Sequence, residues 1–148
     1  MVGSGGTTQL GTGGATVISS GGTMMMATGG HSSTVSSGGA TAASCLAAGT
    51  LMVTNQGTSA YVINSASNPT LTLCRGRTYV FSINTPGHPF YIKTAQSTGT
   101  ANAYSTGVTG NGTAMGDVTF IVPMAAPNTL FYDCSLHSMM TGTLDIVN

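Results

Sequence analysis

Charge is the scarcest commodity in this chain of 148 residues, which carries three basic and three acidic side chains. They are Arg75, Arg77, Lys93, Asp117, Asp133 and Asp145; Glu is absent, and nothing charged precedes Arg75. Such a chain has no basic surface for nucleic acid and no long-range field to steer an ionic partner. With no Glu and three dispersed Asp, paired-carboxylate catalysis lacks well-placed members. No apolar run approaches the length of a membrane-spanning segment. The N-terminus lacks the basic-then-apolar layout of a signal peptide, so an exported form is expected to have lost its signal already. Sustained helical periodicity is also missing, which removes the Gly-rich phosphate loops that lead into helices.

What is present divides near residue 45. Residues 1–45 are Gly, Ser, Thr and Ala with isolated apolar residues, a composition that cannot bury enough apolar surface to offset its ordering entropy. A flexible tether is expected there. It includes Met24–Met26 and His31, which in such a setting are read as tether residues rather than a metal-loading segment.

From 46 to 148 the pattern becomes short β-type runs between turn residues. TYVFSIN places Tyr79, Phe81 and Ile83 on one face, and VTFIV does the same for Val118, Phe120 and Val122. LMVTN, AYVIN, TLTLC, PFYIK, TLFYDC and GTLDIV add six more, bounded by NP, RG, PG, NG and AP turn signals. About eight strands in roughly a hundred residues predict an all-β, antiparallel β-sandwich of a single domain.

Chemistry concentrates in YDCSLHSMMTG, where Cys134, His137, Met139 and Met140 offer a thiol, an imidazole and two thioethers within seven positions. In TLFYDC, Leu130, Tyr132 and Cys134 share a face, so Cys134 is expected to leave its strand pointing inward, with His137 and Met140 in the following turn. His88, in NTPGHPFYIK, sits at another strand end. If the two turns share an end of the sandwich, His88, Cys134 and His137 form a His₂Cys set with Met140 as weak axial donor, a set that suits a blue-copper site. Each donor alone has an ordinary structural reading: a buried thiol, a turn-capping His, packing methionines. Zinc could use the thiol and imidazoles but gains little from a thioether. A Cys–His nucleophilic dyad is disfavoured because Cys-x-x-His on one turn is a chelating arrangement.

The GHPF and CSLHSMMTG motifs, 46 positions apart from His88 to Cys134, give the last hundred residues a resemblance to the cupredoxins, the small blue copper proteins. Cys134-x-x-His137-x-x-Met140 is similar to the short ligand loop of the amicyanins. The resemblance implies a Greek-key sandwich, one type 1 copper held by His88, Cys134, His137 and Met140, and electron passage through the exposed edge of His137. It thereby implies a one-electron carrier, not an enzyme, with no small-molecule substrate, and a redox protein partner docking over the apolar end around Pro86, His137 and Met139. Periplasmic, cell-surface or extracellular localisation is expected with it. The chain departs from the family in having Pro89 where many members have an Asn that braces the Cys loop, so that brace is missing or replaced, and Ser138 where the short loop usually has Pro. His-x-His motifs and a second loop Cys, which multicopper and dinuclear sites need, are absent.

Cys45 opens the folded part and Cys74 ends TLTLC; a bridge between them would leave Cys134 as the odd thiol, while two unconnected buried thiols are the alternative. Two rival functions remain at this level: a structural or surface-interaction module on the same scaffold, and copper sequestration without electron transfer.

Overall fold

The computed structural model describes residues 44–148. Residues 1–43, which carry most of the expected tether together with Met24–Met26 and His31, lie outside the described residues. The described chain forms ten strands: β1 (Gly49–Gln56), β2 (Ala60–Ile63), β3 (Ala66–Ser67), β4 (Leu71–Cys74), β5 (Thr78–Asn84), β6 (Phe90–Lys93), β7 (Val108–Thr109), β8 (Met115–Ile121), β9 (Thr129–Cys134) and β10 (Thr141–Val147). Eight of them are the eight runs read from the sequence. The other two, β3 and β7, are two-residue strands, too short to leave a periodic signal.

Two sheets form the sandwich, one in the order β4-β10-β9-β6 and the other β3-β2-β1-β5-β8-β7. The chain crosses repeatedly from one sheet to the other. Most pairings are antiparallel, as expected, but β1 runs parallel to β5 and β10 parallel to β4. Alternation specifies which face of a strand is buried and is silent on the direction of its neighbour, so these two pairings were not legible beforehand.

The inward faces are the predicted ones. Tyr79, Phe81 and Ile83, then Val118, Phe120 and Val122, then Leu130, Tyr132 and Cys134 are all buried in one core. Burial of such side chains is the main favourable term in folding, and a large aromatic ring contributes more of it than any single aliphatic side chain. Phe90 is central to one end: its ring lies 5.1 Å from Tyr61, 5.3 Å from Phe81 and 5.6 Å from Tyr132. Phe90 follows His88 by two positions, so this cluster anchors the start of the strand that leaves the His88 turn. A Cβ at Gly142 would run into the end of the Tyr132 ring, which lies across its register partner on β10, so Gly at this position leaves the room that the Tyr132 side chain occupies.

Cys45 and Cys74 are joined by a disulfide with their Cα atoms 5.5 Å apart. Of the two readings left open for these cysteines, bridging is the one the structure has. Cys134 is the free, buried thiol. Among the described residues no helix is long and apolar enough to cross a membrane.

Candidate metal centre

His88 is delivered by a tight turn. Thr85, Pro86, Gly87 and His88 close with the His88 amide donating to the Thr85 carbonyl at 2.9 Å, and Gly87 takes φ of 81°. Pro at the second position and a left-handed Gly at the third are the requirements of a type II turn, so the sequence TPGH specifies this geometry locally. The His88 carbonyl then accepts from the Thr85 hydroxyl at 2.9 Å and from the Tyr61 hydroxyl at 3.0 Å. The backbone bearing the imidazole is therefore held by three bonds from two elements.

The second turn is set by β9 and β10. Cys134 donates its amide to the Met140 carbonyl at 2.9 Å, and the Met140 amide donates to the His137 carbonyl at 3.2 Å, closing the turn on itself. Met140 is fully buried in the same core as Cys134, whereas Met139 is 68% exposed. Of these two adjacent thioethers, Met140, the one expected from spacing as axial donor, is the one that lies inside the core.

Pairing of β6 with β9 brings the two turns together. Phe90 lies opposite Cys134 in the register, so two residues before Phe90 and three after Cys134 the histidines meet. His88 Nδ1 and His137 Nδ1 are 3.1 Å apart, and Cys134 Sγ lies 3.9 Å from the first and 3.6 Å from the second. These are the three donors that gather among the described residues, one from each of the positions singled out in the sequence. Three points with those separations share a centre about 2.1 Å from each; zinc bonds to imidazole are about 2.0–2.1 Å and to thiolate about 2.3 Å. Two neutral imidazole nitrogens facing each other at this distance can share at most one proton, and a sulfur completes the triangle. The donor set and its spacing fit a single first-row ion. Soft thiolate with two imidazoles favours copper or zinc among such ions.

The brace that Pro89 cannot supply is replaced by backbone and by a different Asn. The Ser135 amide donates to the Pro89 carbonyl at 3.2 Å, tying one turn to the other. The Leu136 amide donates to Cys134 Sγ at 3.4 Å, a bond within the turn that helps to fix where the sulfur points. Asn68 Nδ2 donates to the Met139 carbonyl at 2.9 Å while its Oδ1 accepts from the Tyr61 amide at 2.9 Å. Tyr61 and Asn68 escaped the sequence reading. A Tyr at an inward strand position must find a partner for its hydroxyl, which signals a bond without saying to what.

Burial and, secondarily, the neighbouring His137 hold the His88 pKa below its ordinary 6.5. His88 is thus neutral and able to donate a lone pair at neutral pH. The same shift has a consequence for the metal-free protein. Between the folded pKa and 6.5 the unfolded chain binds the proton that the folded one refuses, so stability present above pH 6.5 is lost as pH falls through that window. Urea midpoints of metal-free protein are expected to fall from pH 7 toward pH 5, and His88→Gln, which does not titrate, is expected to flatten that segment of the profile.

No family model matches the sequence, and no curated protein matches it. Among solved structures the chain is similar to reduced rusticyanin at 18% identity, covering 66% of this chain and 77% of that one, with a TM-score of 0.49. For rusticyanin from Thiobacillus ferrooxidans the identity is 19%, the coverage 66% and 75%, and the TM-score 0.48. A variant of the multicopper oxidase McoA from the hyperthermophile Aquifex aeolicus is a looser likeness, at 15% identity over 67% of this chain and 26% of that one, with a TM-score of 0.39. The convergence of His88, Cys134 and His137 is a property of this chain's own turns and pairings and owes nothing to those likenesses.

Proposed function

We propose that this protein is a mononuclear blue-copper protein acting as a one-electron carrier, with one type 1 copper held by His88, Cys134 and His137 and with Met140 as the weak axial donor. The observation that carries the reading is the triangle of two Nδ1 atoms and one Sγ atom, 3.1 to 3.9 Å on a side, held by bonds that do not depend on a metal. Bound copper would supply the redox chemistry, one electron taken up and one released.

The chain's residues account for the rest. Thr85 and Tyr61 hold the His88 backbone and so fix the point from which its imidazole reaches the site. The buried thioether of Met140 favours copper over zinc as the ion, since zinc gains little from such a donor. His137 is half-buried, and exposed Leu136 and Met139 stand beside it in sequence. That leaves one ligand edge open to a redox protein partner, which would dock against apolar side chains rather than charges. With a formal net charge of zero, the encounter depends weakly on ionic strength. The disulfide fits an exported protein in an oxidising compartment, periplasmic, cell-surface or extracellular.

An anaerobic reductive titration tests the carrier role. Copper-loaded protein is expected to lose its colour with one electron equivalent per copper and to regain it on reoxidation, over many cycles. Copper that binds but does not cycle points to sequestration; failure to take up copper leaves the structural module.

A further inference from the structure

Two of the six charged side chains in this protein are buried together, outside the donor triangle. Lys93 is 0% exposed and Asp133 3%. They lie on neighbouring strands, β6 and β9, where Lys93 stands opposite Phe131 and Asp133 opposite Tyr91. Burial drives Lys93 toward its neutral form, opposed by the charges of Asp133 and Cys134. An ammonium buried in so nearly chargeless a chain is costly, and the question is what it holds.

It holds a segment with no apolar anchor of its own. Residues 94–102 are exposed apart from the half-buried Ser97. Lys93 Nζ donates to the Ser97 carbonyl at 2.6 Å and to the Gly99 carbonyl at 2.7 Å, and stands 5.6 Å from the centre of the Tyr91 ring. The Gly99 amide in turn donates to the Ser135 carbonyl at 2.7 Å, and the Ser135 amide donates to the Pro89 carbonyl. Ser135 is the residue after Cys134, and Pro89 the residue after His88. A continuous chain of hydrogen bonds therefore runs from the ammonium through Gly99 and Ser135 to both turns of the donor triangle. Charge-assisted bonds to carbonyls are the strong members of their class, so the first link is the one that orders the rest.

We propose that Lys93 is a positioning residue for the metal centre: its buried ammonium fastens the 94–102 segment so that the Gly99 amide fixes Ser135, and with it the direction of Cys134 Sγ. The consequence for the copper site rests on the function proposed above, but the hydrogen-bond chain belongs to the metal-free protein and can be tested there.

The test uses Lys93→Met, which keeps the aliphatic stem, and Lys93→Met/Asp133→Asn, which leaves no unpaired buried charge and carries the test if the single variant fails to fold. Ile146→Ala, near the end of β10 away from the site, serves as a control for lost global stability. In metal-free, folded protein, Gly99 amide exchange and Cys134 alkylation by iodoacetamide are expected to accelerate at least about tenfold relative to Ile146→Ala at matched stability, as local opening follows loss of charge-assisted bonds. After copper loading, the thiolate-to-copper absorption band is expected to shift in the Lys93 variants and to stay in place in Ile146→Ala. Exchange and alkylation no faster than in the control would overturn the role of Lys93, whatever copper does. If the wild-type protein takes up no copper while both rates rise, the positioning of Cys134 stands and the copper reading falls.

Discussion

Cys134→Ser is expected to take up Cu(II) without the intense visible absorption that the proposed centre would give the wild-type protein. That absorption arises from charge transfer out of a thiolate, and among the described residues Cys134 is the one free cysteine, the other two being bridged to each other. A serine hydroxyl occupies nearly the same space, so the turn closed by the Cys134 amide and the Met140 carbonyl should survive, as should the core around Leu130 and Tyr132. The loss is therefore chemical rather than structural. His88 and His137 remain, and two imidazoles still bind copper weakly, leaving a pale ligand-field spectrum. Absorption spectra of the two proteins at one equivalent of Cu(II) make the comparison. An unchanged intense band in Cys134→Ser would place the chromophore elsewhere.

Reduction of the Cys45–Cys74 bridge, or Cys45→Ala/Cys74→Ala, is expected to lower stability by about 2–4 kcal/mol, the ordinary effect of opening a loop of this length in the unfolded chain. The bridge spans 29 positions and fastens the segment before β1 to the end of β4. Near its attachment, the Leu46 amide bonds the Thr72 carbonyl at 2.8 Å and the Tyr79 hydroxyl bonds the Leu46 carbonyl at 2.9 Å. These bonds are expected to fray when the bridge is gone, because residues 44–48 belong to no strand. Urea unfolding of metal-free protein with and without the bridge reads the effect. Thiol counting under denaturing, non-reducing conditions should find one reactive cysteine per chain; finding three would show that the bridge does not form.

The strands were legible because their alternation is clean. TYVFSIN and TLFYDC show the inward face residue by residue, and His88 and Cys134 could be assigned to strand ends from the Pro-Gly turn and from the parity of Cys134 with Leu130 and Tyr132. Their meeting was not legible in the same sense. It depends on β6 pairing with β9 in the one register that sets Phe90 opposite Cys134, a long-range choice that neither segment encodes alone. The resemblance of the two motifs to the blue copper proteins supplied that expectation, and the structure's own register agrees with it.

Other features left no signal at all. Lys93 reads as the polar end of a strand, and its complete burial arises only because residues 94–102 fold back across it. Asn68 reads as the first residue of an Asn-Pro turn; that its amide would reach the Met139 carbonyl, 71 positions away, follows from the stacking of the sheets. The replacement of the expected Asn brace by the Ser135–Pro89 backbone bond is equally invisible, since any residue but proline at 135 could donate it.

In the proposed centre one copper ion sits among His88 Nδ1, His137 Nδ1 and Cys134 Sγ. X-ray absorption at the copper edge of protein loaded with a single equivalent tests it most directly, because it counts the atoms around the ion by element. One short bond to sulfur and two to imidazole nitrogen are expected, with the sulfur contribution lost in Cys134→Ser; a first shell of nitrogen and oxygen only in the wild-type protein would contradict a copper held by Cys134.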